Sequence, residues 1–211
     1  MSVYRDDVLE WIRTCAAVIN ENKDYLTQLD AAIGDADHGA NMDRGFKAVA
    51  IKLAENSDKD IGTIFKNAGM TLLSTVGGAG GPLYATFFLQ AGMKTAGKME
   101  FNLQEWSETL EAALNGVIMR GKAEPGDKTM VDALLPAVNS LKESVTAEVP
   151  FHTALERSSE AARQGMLATI PWVARKGRAS YLGERSAGHQ DPGATSSYLL
   201  HKTATDIWKN A

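Results

Sequence analysis

Apolar positions along this chain recur at three- and four-residue steps almost from end to end. Val8, Ile12, Cys15, Ile19, Leu26 and Leu29 lie on one such face, and Met42, Phe46, Val49 and Leu53 on a second. Ile61, Ile64, Phe65, Ala68 and Leu72 form a third, and Leu83 to Met93, with Phe87, Phe88 and Ala91, a fourth. Asn102-Leu-Gln-Glu105 has the form of a capping box, with Asn in place of Ser or Thr, ahead of Trp106, Leu110, Ala113 and Val117. Met130, Leu134, Leu135, Val138 and Leu141 mark the next helix; Phe151, Ala154, Leu155, Ala162 and Met166 another; Thr195 to Trp208 the last. The pattern predicts about eight helices. No β-branched run alternates strictly, so no strands are expected. Short connections point to antiparallel neighbours in a bundle or closed helical ring. Pro136 falls inside a helical pattern and predicts a kink or a helix edge. The segment 171–194 breaks the periodicity with two prolines and four glycines. So long a loop in a compact domain is usually functional or disordered.

Composition narrows the class. The chain has 211 residues, 44% of them hydrophobic, and a formal net charge of −4. Length and connections suit one domain over residues 1–211 that buries a full core. A mildly acidic chain without a dense Lys/Arg block is a poor nucleic-acid binder. The lone Cys15 excludes a disulfide framework and a multi-cysteine zinc site, and fits a reducing compartment. The first residues lack the apolar region of a signal peptide, and no apolar run approaches the ~18 residues of a membrane helix. The expected location is the cytoplasm, without membrane attachment.

The chemistry concentrates in four polar segments, which hold 12 of the 19 glycines. Asp30, Asp35 and Asp37 fall within eight positions, and Gly34 and Gly39 bracket the last two. Carboxylate oxygens are the hard ligands Mg²⁺ prefers, usually shared with phosphate and water. An ordinary helix start, with Asp37 as N-cap and Asp35 solvated, is an equal reading of the spacing. His38 is open between a structural imidazole and a phosphate or ribose contact. In Val76-Gly-Gly-Ala-Gly-Gly-Pro82, clustered glycines precede a helix N-terminus, where backbone N–H groups favour anions; a hinge or close helix crossing is the alternative. The loop from Arg120 to Met130 is charged and turn-rich, and alone reads as a solvated connection with Asp127 or Thr129 as a helix cap. Arg175 to Arg185 is the most basic window and runs into Asp191-Pro-Gly193 before the last helix. Guanidinium forks there match phosphate oxygens; a mobile surface loop is the bland alternative.

Together the motifs Gly34-Asp-Ala-Asp-His-Gly39, Gly77-Gly-Ala-Gly-Gly-Pro82, Gly121-Lys-Ala-Glu-Pro-Gly-Asp-Lys-Thr129, Arg175-Lys-Gly-Arg-Ala-Ser-Tyr-Leu-Gly-Glu-Arg185 and Gly188-His-Gln-Asp-Pro-Gly-Ala194 closely resemble the L subunits of bacterial dihydroxyacetone kinases. The resemblance covers essentially the whole chain. It implies an all-α antiparallel barrel of eight helices with a nucleotide at one end. It implies that Asp30, Asp35 and Asp37 hold two Mg²⁺ ions bridging the phosphates of ADP or ATP. His38, Gly39, Ala40 and Asn41, with Ala79 and Gly80, would contact the nucleotide around its phosphates. Gly121 and Met130 would line the adenine and ribose side, and Arg178 with Asp191, Pro192 and Gly193 would close over the site. Arg178 would also act catalytically, stabilising the departing γ-phosphoryl. One position departs from the family's pattern: Gly80 stands where the turn commonly carries serine, which removes a hydroxyl donor. The resemblance further implies a homodimer that works with a K subunit carrying dihydroxyacetone and a phosphotransferase-system M subunit that rephosphorylates bound ADP. The stand-alone length favours that form. An ATP-using kinase subunit for dihydroxyacetone or a related sugar or polyol, and a nucleotide-sensing regulatory module, are the alternatives.

Overall fold

The structure, a computed structural model, describes residues 2–53 and 58–209. Among them nine α-helices follow in order: α1 (Arg5–Glu21), α2 (Lys23–Ile33), α3 (His38–Lys52), α4 (Ile61–Thr75), α5 (Gly80–Lys94), α6 (Leu103–Gly121), α7 (Val131–Thr146), α8 (Phe151–Ala168) and α9 (Pro192–Trp208). Each ring helix packs on the next from α3 through α9, while α1 packs on both α3 and α9. Eight helices therefore close a ring, and α2 stands outside it against α3 and α9. The connections α2–α3, α4–α5, α6–α7 and α8–α9 all meet at one end, as alternating chain direction requires. No helix among the described residues is long and apolar enough to cross a membrane.

The single first helix expected from periodicity is two. Asn22 sits between α1 and α2 at φ −96° and ψ 6°, and its side-chain amide donates to the Val18 carbonyl at 2.8 Å. The step of seven from Ile19 to Leu26 keeps the apolar phase through this break, so the pattern does not register it. The expectation of no strands is also corrected, in a minimal way. Val3–Tyr4 (β1) pairs antiparallel with Glu100–Phe101 (β2), each two residues long, too short to alternate visibly.

The capping box at α6 forms as expected: the Glu105 N–H donates to Asn102 Oδ1 at 3.0 Å, and the Asn102 N–H to Glu105 Oε2 at 2.9 Å. Pro136 lies inside α7 and does not end it. Its ring nitrogen leaves the Asp132 carbonyl without an i+4 donor, and Gly165 of α8 packs there so closely that a Cβ would lie 2.0 Å from that oxygen.

Aromatic side chains are 7% of the chain, yet they converge inside the ring. Trp11 packs against Phe65, Phe88, Trp106 and Trp208 at centroid distances of 5.2–6.1 Å. Phe101 of β2 stacks on Trp106 at 5.2 Å. The indoles of Trp11 and Trp208 donate to the carbonyls of Leu200 and Asp7, binding α1 to α9 across the closure. This dry half leaves the opposite end to the polar connections.

Candidate nucleotide site at the barrel mouth

The four connections enclose a cleft of about 840 Å³, part of it open to solvent. The acidic segment forms one wall. Asp30 lies in the last turn of α2 and its Oδ2 accepts the N–H groups of Asp37 (2.9 Å) and His38 (3.1 Å). The first turn of α3 is thus capped from outside by Asp30, and Asp37, at the N-cap position, makes no side-chain cap bond. The helix-start reading of the cluster does not describe this geometry. Ala36 is held at φ +61°, in the left-handed region that disfavours a Cβ, so the turn sets Asp35 and Asp37 on either side of a strained residue. Oxygens of Asp30, Asp35 and Asp37 lie within 4.8 Å of one another. Arg178 reaches across to Asp35 at 3.1 Å.

His38 lines the cleft, and its Nε2 meets Ser196 Oγ at 2.9 Å. Ser196 passes the contact to the Tyr84 hydroxyl at 2.7 Å, which also meets Ser197 at 2.9 Å. Burial lowers the His38 pKa against the opposing charges of Asp30 and Asp37. Burial also pushes the Tyr84 phenol up to about 12. Both groups stay neutral near pH 7, and the relay fixes the imidazole plane. Sequence reading did not single out Tyr84, Ser196 or Ser197, because each looks like an ordinary helix position.

The glycine turn forms the second wall. Gly77, Gly78, Ala79 and Gly80 line the cleft ahead of α5. Gly78 takes φ +64°. A Cβ at Gly80 would meet only Val76 Cγ1 at 3.8 Å and His38 Nδ1 at 3.9 Å, so this glycine is required neither by backbone conformation nor by space. Asn41 also lines the cleft, and its Oδ1 accepts from Arg44 at 2.6 Å. Gly39 and Ala40 do not face it. Gly39 lets α2 and α3 cross, since a Cβ there would strike the Lys23 carbonyl. What these two offer a ligand is backbone N–H in the first turn of α3.

An apolar arm continues from the cleft between α5, α6 and α7, lined by Pro82, Leu83, Val117, Gly121, Ala123 and Met130. Met130 is core and cleft wall at once. Thr129 Oγ1 accepts the Val131 N–H at 3.2 Å, but the N-cap of α7 is Met130, so neither Asp127 nor Thr129 takes the cap position expected of that loop.

The basic segment folds over the mouth as an ordered strap, with a 3₁₀ helix at Arg178–Ser186 bent at Gly183. Asp191 caps α9, accepting the Ala194 N–H at 2.6 Å, and Pro192 occupies the first turn. The last helix thus begins before the Thr195 expected from periodicity, and Asp191, Pro192 and Gly193 line the cleft as its first turn. Burial raises the Asp191 pKa to about 7. Lys128, unremarked in the sequence, is buried and donates to three strap carbonyls, Ile170 (3.4 Å), Trp172 (2.9 Å) and Ser186 (2.7 Å).

Three clustered carboxylates, a glycine turn at a helix start, a guanidinium and an adjoining apolar arm suit a metal-bound polyphosphate joined to a flat apolar group. Comparison with known proteins accords with that chemistry. A family model described as DAK2 domain matches residues 32–206. The chain is 52% identical over 200 residues to the ADP-binding subunit DhaL of the PEP-dependent dihydroxyacetone kinase of Escherichia coli (strain K12), covering 95% of each. It is 42% identical to the ADP-binding subunit DhaL of the PTS-dependent dihydroxyacetone kinase of Lactococcus lactis subsp. lactis (strain IL1403), covering 96% of this chain and 97% of that one. Among solved structures, the dihydroxyacetone kinase from C. freundii in complex with AMP-PNP and Mg²⁺ superposes with a TM-score of 0.70 at 26% identity, over 98% of this chain. The chain spans about a third (34%) of that larger protein.

Proposed function

The chain belongs to the DAK2 domain family, and on that premise we propose that it is the nucleotide-holding subunit of a PEP-dependent dihydroxyacetone kinase. It acts as a single domain that keeps ADP or ATP with Mg²⁺ in the barrel mouth. The phosphoryl group passes from there to dihydroxyacetone on a partner K subunit, and an M subunit of the phosphotransferase system restores it. The observation that carries this reading is the convergence of Asp30, Asp35 and Asp37 within 4.8 Å, facing a cleft that continues into an apolar arm.

The donor set fits the metal: oxygens alone, with Arg178 as the one cation bonded to the triad among the described residues. Asp30, Asp35 and Asp37 would hold Mg²⁺, two ions by resemblance, and Mg²⁺ when bound offsets polyphosphate charge. His38 and Asn41, with backbone N–H of Gly39, Ala40, Ala79 and Gly80, bind the phosphates. Met130 and Gly121 receive the base and ribose. Asp191, Pro192 and Gly193 close the floor. Arg178 is the group placed to exchange its carboxylate partner for phosphate oxygens and to stabilise charge as the phosphoryl leaves. Phosphoryl transfer asks chiefly for positioning and charge neutralisation, which suits a chain that presents a nucleotide to a partner's substrate. A cytoplasmic homodimer is the working assembly.

The test is mass spectrometry of the nucleotide that co-purifies, followed by turnover with purified K and M subunits. Retained ADP and PEP-driven transfer are expected. Ready loss of ADP with turnover on free ATP and K alone would make the chain part of an ATP-using kinase. Retention without transfer would leave a regulatory module.

A further inference from the structure

The strap leaves the barrel after α8 and returns to it at α9, and its two limbs run side by side at the neck. Gly188 N–H donates to the Ile170 carbonyl at 2.7 Å, and Ala174 N–H to Ser186 Oγ at 2.8 Å. The Lys128 ammonium lies between these limbs. It donates to Ile170 and Trp172 on the outgoing limb and to Ser186 on the returning one. One side chain from the α6–α7 loop thus ties both ends of the segment that carries Arg178.

Two observations separate this from an ordinary buried lysine. First, Lys128 is 1% exposed, a placement lysine almost never takes without partners, and every hydrogen bond of its ammonium goes to the strap. Second, its backbone sits at φ +65°, where glycine or asparagine is more comfortable. The side chain, not the turn, therefore accounts for lysine here. The preceding residue adds a second grip: the Asp127 carbonyl accepts Arg175 N–H at 3.1 Å, and its carboxylate meets Arg175 Nε at 2.9 Å.

We infer that Lys128 is a positioning residue, a buried ammonium latch that holds the strap closed and so presents Arg178 to the phosphates above the aspartate triad. The inference rests on the nucleotide reading of the cleft, but the latch itself can be tested without a nucleotide.

The probe is chymotrypsin acting at Tyr181, which is 88% exposed on the strap, with local opening of the strap expected to speed the cut. Lys128→Met keeps an unbranched side chain one atom shorter and removes the donors; Lys128→Asn keeps a residue suited to positive φ. In the nucleotide-free protein both variants should be cut at Tyr181 at least about tenfold faster, with far-UV circular dichroism unchanged. Arg178→Ala, which loses only an exposed ion pair, should be cut within about twofold of the parent rate. With nucleotide and partner subunits, Lys128→Met should release ADP about tenfold faster and lower kcat, while KM for the K subunit holds. Unchanged cleavage in both variants would overturn the latch. Fast cleavage with unchanged ADP release and kcat would overturn the positioning role, leaving a purely structural tie. Loss of helicity in both variants would reassign Lys128 to the core and overturn it as well. Fast cleavage in both variants, beside a slowly cut parent that never binds Mg²⁺-ADP, would instead sink the nucleotide reading and leave the latch standing.

Discussion

Two groups of three aspartates stand around the barrel mouth, and their bonding differs sharply. Asp127, Asp132 and Asp191 are buried and committed to the protein. Asp127 accepts the Glu124 N–H at 2.7 Å, Asp132 accepts those of Gly126 (2.6 Å) and Thr129 (2.7 Å), and Asp191 caps α9. Asp35 and Asp37 are more open, and among the described residues the Asp37 carboxylate accepts no hydrogen bond. Only Asp30 does both, spending Oδ2 on two N–H groups while its carboxylate stays beside the other two. Composition counts all six alike. Bonding sorts them into carboxylates that build the loops and carboxylates left over for a ligand.

This sorting makes opposite predictions for the two groups. The largest effect belongs to the open pair. Asp35→Asn or Asp37→Asn should weaken Mg²⁺-ADP binding by at least about a hundredfold, since even outer-shell partners of a metal matter by 10–100-fold. The apo melting temperature should hold or rise slightly as like charges are removed. Isothermal titration beside thermal melts reads both, and undiminished nucleotide binding would erase the distinction. Asp132→Ala should do the reverse. It strands two backbone N–H groups and costs about 2–4 kcal/mol of stability, or several degrees in a melt, whether nucleotide is present or not.

Asp191 sharpens the contrast through pH. Burial raises its folded-state pKa to about 7, above the ordinary carboxyl range. The folded state then holds a proton that the unfolded chain has lost, so this contribution is full below about pH 4 and disappears as pH rises through about 7. The slope is at most one proton, about 1.4 kcal/mol per pH unit. Asp191→Asn, which can still cap α9, should flatten apo stability across that window; an unchanged pH profile would count against it. The smallest effect is expected at Gly80→Ser. The space there is open, so melting should not move, and the added hydroxyl beside His38 should shift ADP affinity by less than about tenfold.

Much of this was legible in the sequence. Helical periodicity, the capping box at Asn102 and the clustering of glycines at the loops lead to an all-helical ring with its chemistry at one end. The break at Asn22 was not legible, because the apolar phase runs through it and only φ and ψ record the turn. Pro136 does not end α7, and α8 packs a glycine against the carbonyl that the proline leaves without its donor. Asp37 looked like a cap on spacing, but Asp30 performs that task from α2, a tertiary contact no local pattern encodes. Lys128 was invisible for the same kind of reason. A lysine in a Gly-Asp-Lys-Thr loop is by default solvated, and its three carbonyl partners lie 42 to 58 residues away.

The ring is joined by its first and last members. Trp11 of α1 donates to Leu200, and Trp208 of α9 to Asp7, pairings 189 and 201 residues apart. During synthesis the earlier helices emerge with the aromatic face of α1 lacking one of its two walls. Trp11 packs on Phe65, Phe88 and Trp106 as well as on Trp208, so without α9 one side of this aromatic cluster stays open. Truncations that remove α9 should therefore aggregate rather than yield a shorter barrel.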